Sequence, residues 1–228
     1  MQKNPKIVIT GANGFIGSHL AEYMKDKGFD VHCVVRETSN LKWLENKDFT
    51  FHKCGLMGIE ALKIVFKDAK YIFHLAGTVS ALKYESYLYG NVTLTKNVLE
   101  AALEVNPEKI LITSSLAVAG STTKDKPLKE SDGFNPLVQY GKAKVAQEEL
   151  CAEYFDRLNI TIARPSPITG PREVEMFEFI QTINNGIFPK VGFSETYVNV
   201  IHITDLLDAF YSMVITEKTS GEAYNLCS

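Results

Sequence analysis

The sequence predicts an α/β domain built on a doubly wound parallel sheet of about seven strands with helices on both faces. Three observations predict it. Short β-branched or aromatic runs alternate with amphipathic stretches of helix length. Those runs are apolar at consecutive positions, as strands buried on both faces are. A turn with glycines at 11, 14 and 17 stands between the first run and the first amphipathic stretch.

In chain order, KIVIT (6–10) is the first strand. The helix after the glycine turn carries Ile16, Leu20, Tyr23 and Met24 on one face, and Gly28 is placed to end it. VHCVV (31–35), FTFHK (49–53) and YIFHL (71–75) are the next strands. A stripe of Leu94, Val98, Ala101 and Ala102 marks a second helix, followed by the strand ILITS (110–114). STTKDKPLKESDGFNP (121–136) has the composition of a long surface loop. Val145, Leu150 and Tyr154 mark a third helix, ITIA (160–163) a strand, Leu206, Ala209, Phe210 and Met213 a fourth helix, and 222–226 a weaker last strand.

With 228 residues, 45% of them hydrophobic and 22% charged, the chain can bury a full core as a single domain, 1–228. A formal net charge of −3 leaves no basic footprint, which excludes nucleic acid as the main partner. Cys33, Cys54, Cys151 and Cys227 form no Cys-x-x-Cys pair and no His cluster has metal-ligand spacing, so no metal is expected and the thiols fit a reducing cytoplasm. No window reaches the roughly 18 apolar residues of a membrane span.

Gly11, Gly14 and Gly17 bring free backbone N–H groups and the positive end of a helix dipole to one point, which suits a pyrophosphate. Tyr140 and Lys144 are four apart and share a helix face; an ammonium beside a phenol favours the phenolate and suits it to acid–base work. The spacing alone is weak, because Tyr23 and Lys27 repeat it on a face read here as solvated. Thr113, Ser114 and Ser115 end a strand, where ligands sit in open α/β sheets; at least one of these hydroxyls is expected to cap local backbone instead.

These residues resemble the extended short-chain dehydrogenases/reductases, a group that includes nucleotide-sugar epimerases and dehydratases, hydroxysteroid dehydrogenases and dihydroflavonol-type reductases. TGANGFIGSHL, IFHLAG, NVTLTKNVLEAA, ITSSLAVAG, YGKAK, RPSPITGP, VIHITDLLDA and GEAYNL carry the likeness along the whole chain. The resemblance implies a Rossmann-type sheet of order 3-2-1-4-5-6-7 and a nicotinamide cofactor. It implies Tyr140 as general acid/base, Lys144 on the nicotinamide ribose, and Ser115 on the substrate oxygen. Gly11, Gly14, Phe15, Ile16 and Gly17 would surround the pyrophosphate, with Ala76, Gly77 and Pro165 also beside the cofactor. Asn91 matches a structural or water-holding asparagine, and His202 and Asp205 match an element read here as helix capping.

The chain departs from the family pattern at several points. It stops at Ser228 where relatives usually continue, so either the product is short or this is a fragment; a reduced C-terminal substrate subdomain is expected, with 165–200 its residual part. Gly55 stands where relatives commonly carry an Asp, Pro167 where many nucleotide-sugar enzymes carry an Asn, and Ala119 where a Tyr is frequent. The end of the second strand has Val35 and then Arg36 in place of the acid that receives an NAD ribose; a guanidinium fork suits a 2′-phosphate. NADP(H) is therefore expected, with NAD(H) as the alternative, Ser39 as a second phosphate contact, and Glu37 pointing to the other side of the strand end.

The function expected is an NAD(P)-dependent oxidoreductase moving hydride between the cofactor and an alcohol or ketone of a small organic substrate. The alternatives are a nucleotide-sugar epimerase/dehydratase and a non-catalytic dinucleotide-binding protein. Of Tyr84, Tyr87 and Tyr89, two are expected to pack and one to line a pocket. The resemblance leaves a homodimer open, through the helices at 91–105 and 138–156.

Overall fold

The computed structural model describes residues 4–45, 47–123, 126–187 and 198–227. Nine strands are described: β1 Lys6–Thr10, β2 Asp30–Val34, β3 Thr50–His52, β4 Tyr71–His74, β5 Lys109–Thr113, β6 Ile160–Pro165, β7 Ile168–Thr169, β8 Ile201–His202 and β9 Ala223–Leu226. Seven form one parallel sheet of order β3-β2-β1-β4-β5-β6-β9, which is the order expected. The short β7–β8 pair stands apart from it. The helices are α1 Phe15–Asp26, α2 Ile59–Phe66, α3 Tyr84–Leu88, α4 Leu94–Val105, α5 Gln139–Ala152, α6 Glu175–Asn184 and α7 Ile203–Ile215.

The alternation of side chains along β1 divides the core in two. Ile7 and Ile9 face α1 and α7 and join Leu20, Met24, Leu206 and Phe210 in one cluster. Val8 faces the opposite way, with Leu62, Phe66, Val98, Leu99 and Cys151 of α2, α4 and α5. All three of these β1 residues are fully buried, which is why the run is apolar without alternation. β1 is also the switch point: β2 lies on one side of it and β4 on the other, so a crevice opens beyond the carboxyl ends of β1 and β4.

Several expectations need correction. α2, α3 and α6 are additional helices, α3 being too short to carry an amphipathic period. α5 buries Ala143, Lys144, Gln147, Glu148 and Cys151, while Val145 and Leu150 of the expected stripe are only half-buried; apolar periodicity cannot reveal a face whose burial is satisfied by polar partners. Tyr23 is packed, not solvated: its hydroxyl donates to Asp208 at 2.5 Å, its ring meets Tyr211, and burial with that carboxylate pushes the phenol up to about 12. The 121–136 segment, as far as it is described (Lys124 and Asp125 lie outside), has no helix or extended strand and is tied to β9 by the Asn225 N–H donating to Glu130.

Candidate functional site

The three glycines of the turn have different physical reasons. Gly11 has φ +69°, and a Cβ there would lie 2.8 Å from the Ala76 nitrogen, so the β1 and β4 turns touch backbone to backbone. A Cβ on Gly17 would lie 2.2 Å from the Gly11 carbonyl oxygen. Gly14 is the N-cap of α1, and a Cβ there would meet only the Gly11 oxygen, at 3.3 Å. The first-turn N–H groups of Phe15, Ile16 and Gly17 have no acceptor within α1 and sit at its positive end. The Phe15 and Ile16 side chains pack on the α1 side of the core, so what they offer a ligand is backbone. Gly17→Ala is expected to lower stability by about 1–3 kcal/mol and to weaken dinucleotide binding, as overpacking against backbone does; urea unfolding and a dinucleotide titration check it.

A cleft of about 770 Å³ opens over this turn, within the roughly 300–1,000 Å³ of small-molecule sites. Gly11, Gly14, Val35, Arg36 and Ser39 line one side, and Ala76, Gly77 and Leu94 the other. β2 ends at Val34, and residues 36–39 form a turn closed by the Ser39 N–H on the Arg36 carbonyl and the Arg36 N–H on Ser39 Oγ, both 3.0 Å. Because the strand has ended, its alternation no longer applies, and Glu37 lines the same cleft as Arg36 instead of pointing away. Its carboxylate is 3.7 Å from Lys53, a second cation in that wall. A Cβ on Gly55 would meet only the Arg36 side chain, at 3.8 Å.

The end of the cleft nearest α5 is marked by Gly77, where a Cβ would lie 3.5 Å from Lys144 Nζ. Lys144 is buried and donates to the Thr113 carbonyl and to Gln147 Oε1, each at 2.9 Å. Burial pushes its ammonium down to about 8, opposed by Cys151 and Glu148. The ammonium lies 5.9 Å from the centre of the Tyr140 ring, which is half-buried and tilted against Tyr87 at 6.2 Å. The Tyr87 hydroxyl accepts the Ala81 N–H, and of Tyr84, Tyr87 and Tyr89 it is Tyr89 that lines the cleft, one of the three as expected.

Ser115 N-caps the short turn Leu116–Val118, its Oγ accepting the Ala117 N–H at 3.2 Å. That turn lies on α5 next to Tyr140, since a Cβ on Gly141 would be 2.6 Å from the Ala117 oxygen. Ser114 points elsewhere, donating to Glu148 at 2.5 Å. Glu148 also holds the Arg164 guanidinium in a buried two-pronged pair at 2.6 and 3.0 Å, with Phe134 of the loop over Arg164. Pro165 lies buried in β6 beside Leu226, outside the cleft wall. Asn91 is buried, accepting the Thr78 N–H and donating to the Thr78 and Tyr87 carbonyls, a structural clamp on the Gly77 loop. His202 caps α7 by accepting the Thr204 N–H.

The structure thus gathers Gly11, Gly14, Arg36, Ala76 and Gly77 in the walls of one crevice, with Lys144 behind Gly77 and the Tyr140 ring and the Ser115 turn beside it on α5. Sequence reasoning missed Lys53, Gln147, His74 and Thr95. Lys53 had a legible signal as a charge at the end of an expected strand; the others are polar residues inside apolar periods.

Such a crevice, a helix N-terminus behind a glycine turn at the switch point of a parallel sheet, defines a dinucleotide-dependent α/β enzyme of Rossmann type. A family model described as "NAD dependent epimerase/dehydratase family" matches residues 7–227, and the chain belongs to that family. Protein CapI of Staphylococcus aureus is 30% identical over 232 residues, 92% of this chain and 69% of that protein. The UDP-N-acetylglucosamine 4-epimerase of Methanobrevibacter ruminantium, solved with UDP-N-acetylmuramic acid, superposes with TM-score 0.85 at 26% identity over 99% of this chain and 77% of its own. The UDP-glucuronic acid 4-epimerase of Bacillus cereus, solved with UDP-glucuronic acid and NAD, gives 0.84 at 25% identity over 98% and 77%. No described helix is long and apolar enough to cross a membrane.

Proposed function

We propose that the chain is an NAD(P)-dependent oxidoreductase acting on a secondary alcohol or its ketone, with Tyr140, Lys144 and Ser115 at the reacting carbon. The observation that carries this reading is the buried Lys144 ammonium, reaching Gly77 on one side and the Tyr140 ring on the other. The glycine turn, the Gly77 backbone and the cleft's size fit a dinucleotide, whose nicotinamide when bound supplies hydride acceptance and return. Tyr140 moves the proton of the substrate hydroxyl, Ser115 holds the same oxygen, and Lys144 keeps positive charge beside the phenol and donates to the ribose.

NADP(H) is proposed over NAD(H). Arg36, Ser39 and Lys53 stand in one wall, and the Glu37 charge there is offset by Lys53. The same reading takes 1–228 as one domain, with 165–200 on the substrate side; residues 188–197 lie outside those described. A cytoplasmic location belongs to it on the cysteine usage of the sequence, and a homodimer through α4 and α5 on the resemblance alone. Arg36→Ala is expected to weaken NADPH about tenfold or more and to leave NADH little changed, since a charge-assisted hydrogen bond is worth about 1.5–3 kcal/mol. Titrating both cofactors against the variant decides it; equal losses reject the phosphate site.

Lys144 also fixes a pH dependence. Its charge is present below pH about 8 and is lost above it, so kcat/KM is expected to fall on an alkaline limb near that value, read from a pH–rate profile. A second reading, a nucleotide-sugar epimerase or dehydratase in which the hydride is returned to the same molecule, is favoured by the UDP-sugar complexes of the similar structures. Incubating the chain with UDP-sugars and with ketones plus NADPH separates the two: net dinucleotide oxidation supports the first, and product formation without it supports the second.

A further inference from the structure

Behind Lys144 runs a fully buried chain of polar side chains that links it to the strand end beneath the glycine turn. Gln147, Thr95, His74 and Thr10 are all 0% exposed. Their hydrogen bonds can be directed from one fixed point. The Thr95 hydroxyl has a single proton, and it goes to the Asn91 carbonyl at 2.6 Å. Thr95 Oγ1 therefore accepts from its other two partners, Gln147 Nε2 at 2.8 Å and His74 Nε2 at 2.9 Å. With its proton on Nε2, neutral His74 accepts at Nδ1 from the Thr10 hydroxyl at 2.8 Å, which leaves Thr10 Oγ1 to accept the Ala76 N–H at 3.4 Å.

His74 is held neutral by burial, with the Lys144 charge adding to the effect, its imidazole pushed down to about 3. At the other end, Gln147 Oε1 must be the atom facing the ammonium, because its amide nitrogen is committed to Thr95. Two of the three Lys144 protons are thus taken, by Gln147 and by the Thr113 carbonyl. The third is left on the Gly77 side.

We propose that Gln147, locked in orientation by Thr95 and His74, is the positioning residue that sets the Lys144 ammonium so that its remaining N–H bond faces the cleft. The inference rests on the reading of Lys144 given above, yet it concerns an arrangement present in the free chain. A side-chain amide without Thr95 behind it could rotate and present its NH₂ to the ammonium. The Thr95 anchor removes that alternative. The titratable groups facing Lys144 are Tyr140, Glu148 and Cys151 on α5 and His74 on β4. Of these, Glu148 is engaged by Arg164 and His74 is neutral. The neutral amide oxygen and the Thr113 carbonyl are therefore its nearest acceptors.

The test is an NMR titration of the Lys144 Nζ signal in the dinucleotide-free protein, beside dinucleotide affinity and the alkaline limb of the rate profile. Gln147→Leu, which leaves Thr95 satisfied by His74, is expected to make the ammonium about tenfold more acidic, to weaken dinucleotide binding about fivefold, and to move the alkaline limb down by the same factor. Gln147→Glu, which keeps an oxygen on the ammonium and adds charge, is expected to move the titration up. Thr95→Ser is expected to behave as the wild type, and Thr95→Val to move the titration in the direction of Gln147→Leu. A lower melting temperature with an unmoved Nζ titration in Gln147→Leu assigns Gln147 to packing and overturns the proposal. So does a titration that moves the same way in Gln147→Glu. If no substrate is turned over, the functional reading fails by itself while the titration still decides this one.

Discussion

Tyr140→Phe is expected to abolish turnover, a loss of about 10²–10⁴-fold, while dinucleotide affinity stays within a few fold of the wild type. The substitution removes one oxygen and keeps the ring. The ring contacts persist, with Tyr87 at 6.2 Å and the Lys144 ammonium 5.9 Å from the ring centre. The Lys144 bonds to Thr113 and Gln147 do not involve Tyr140, so the ammonium stays in place. What disappears, on the proposed mechanism, is the group that exchanges a proton with the substrate oxygen, and the Ser115 hydroxyl cannot replace it because its proton is far less acidic than a phenol's. Steady-state rates and a fluorescence titration of the dinucleotide, run on one preparation, separate the two effects. A variant that binds the dinucleotide tightly and turns over undiminished would remove Tyr140 from the chemistry.

Glu148→Ala is expected to be the most damaging single change to stability, about 3–5 kcal/mol, because it strands a buried cation. The side chains of Glu148 and Arg164 are 3% and 7% exposed, and their two-pronged contact is completed by the Ser114 hydroxyl. Removing the carboxylate leaves the guanidinium with the face of Phe134 for compensation and takes away the Ser114 acceptor. Replacing both partners together, Glu148→Leu with Arg164→Met, is expected to recover most of the loss, since apolar pairs of similar volume do not carry the desolvation of two ions. Urea unfolding of the single and double variants measures it, and a double variant as unstable as the single one contradicts the argument.

The sheet was legible because its strands, buried on both faces, are written in the sequence as uninterrupted apolar runs: Ile7, Val8 and Ile9 leave no doubt about β1, and Ile110, Leu111 and Ile112 none about β5. The glycine turn was legible as a motif, though the division of labour in it was not, since Gly11 and Gly17 are explained by contacts with residues distant in chain or turn geometry. Tyr140 and Lys144 stood out by spacing, but the same spacing at Tyr23 and Lys27 shows how little spacing means without the surrounding elements. Glu37 was misplaced because strand alternation was extended past Val34, where the backbone already turns. The buried face of α5 was hidden for a deeper reason. Lys144, Gln147 and Glu148 look like a solvated stripe in sequence, and only their partners on β5, α4 and β6 make them interior residues.

One short segment governs how the Gly77 loop is held. Between α3 and α4, residues Tyr89–Thr93 form a single π-helical turn that holds Asn91 inward. A π turn carries one residue more than the α turn it replaces while sweeping nearly the same angle, so the extra residue is taken up without rephasing the two helices. Deleting one residue there, with the rest of the chain unchanged, would restore ordinary helical winding and leave α3, with Tyr87 beside Tyr140, nearly in place. The cost would fall on Asn91, whose seat in the widened turn sets its bonds to Thr78 and to the Tyr87 carbonyl. The length of this junction is therefore a discrete setting of the Gly77 loop: one residue more or fewer decides whether that loop is clamped, while the helices on either side stay where they are.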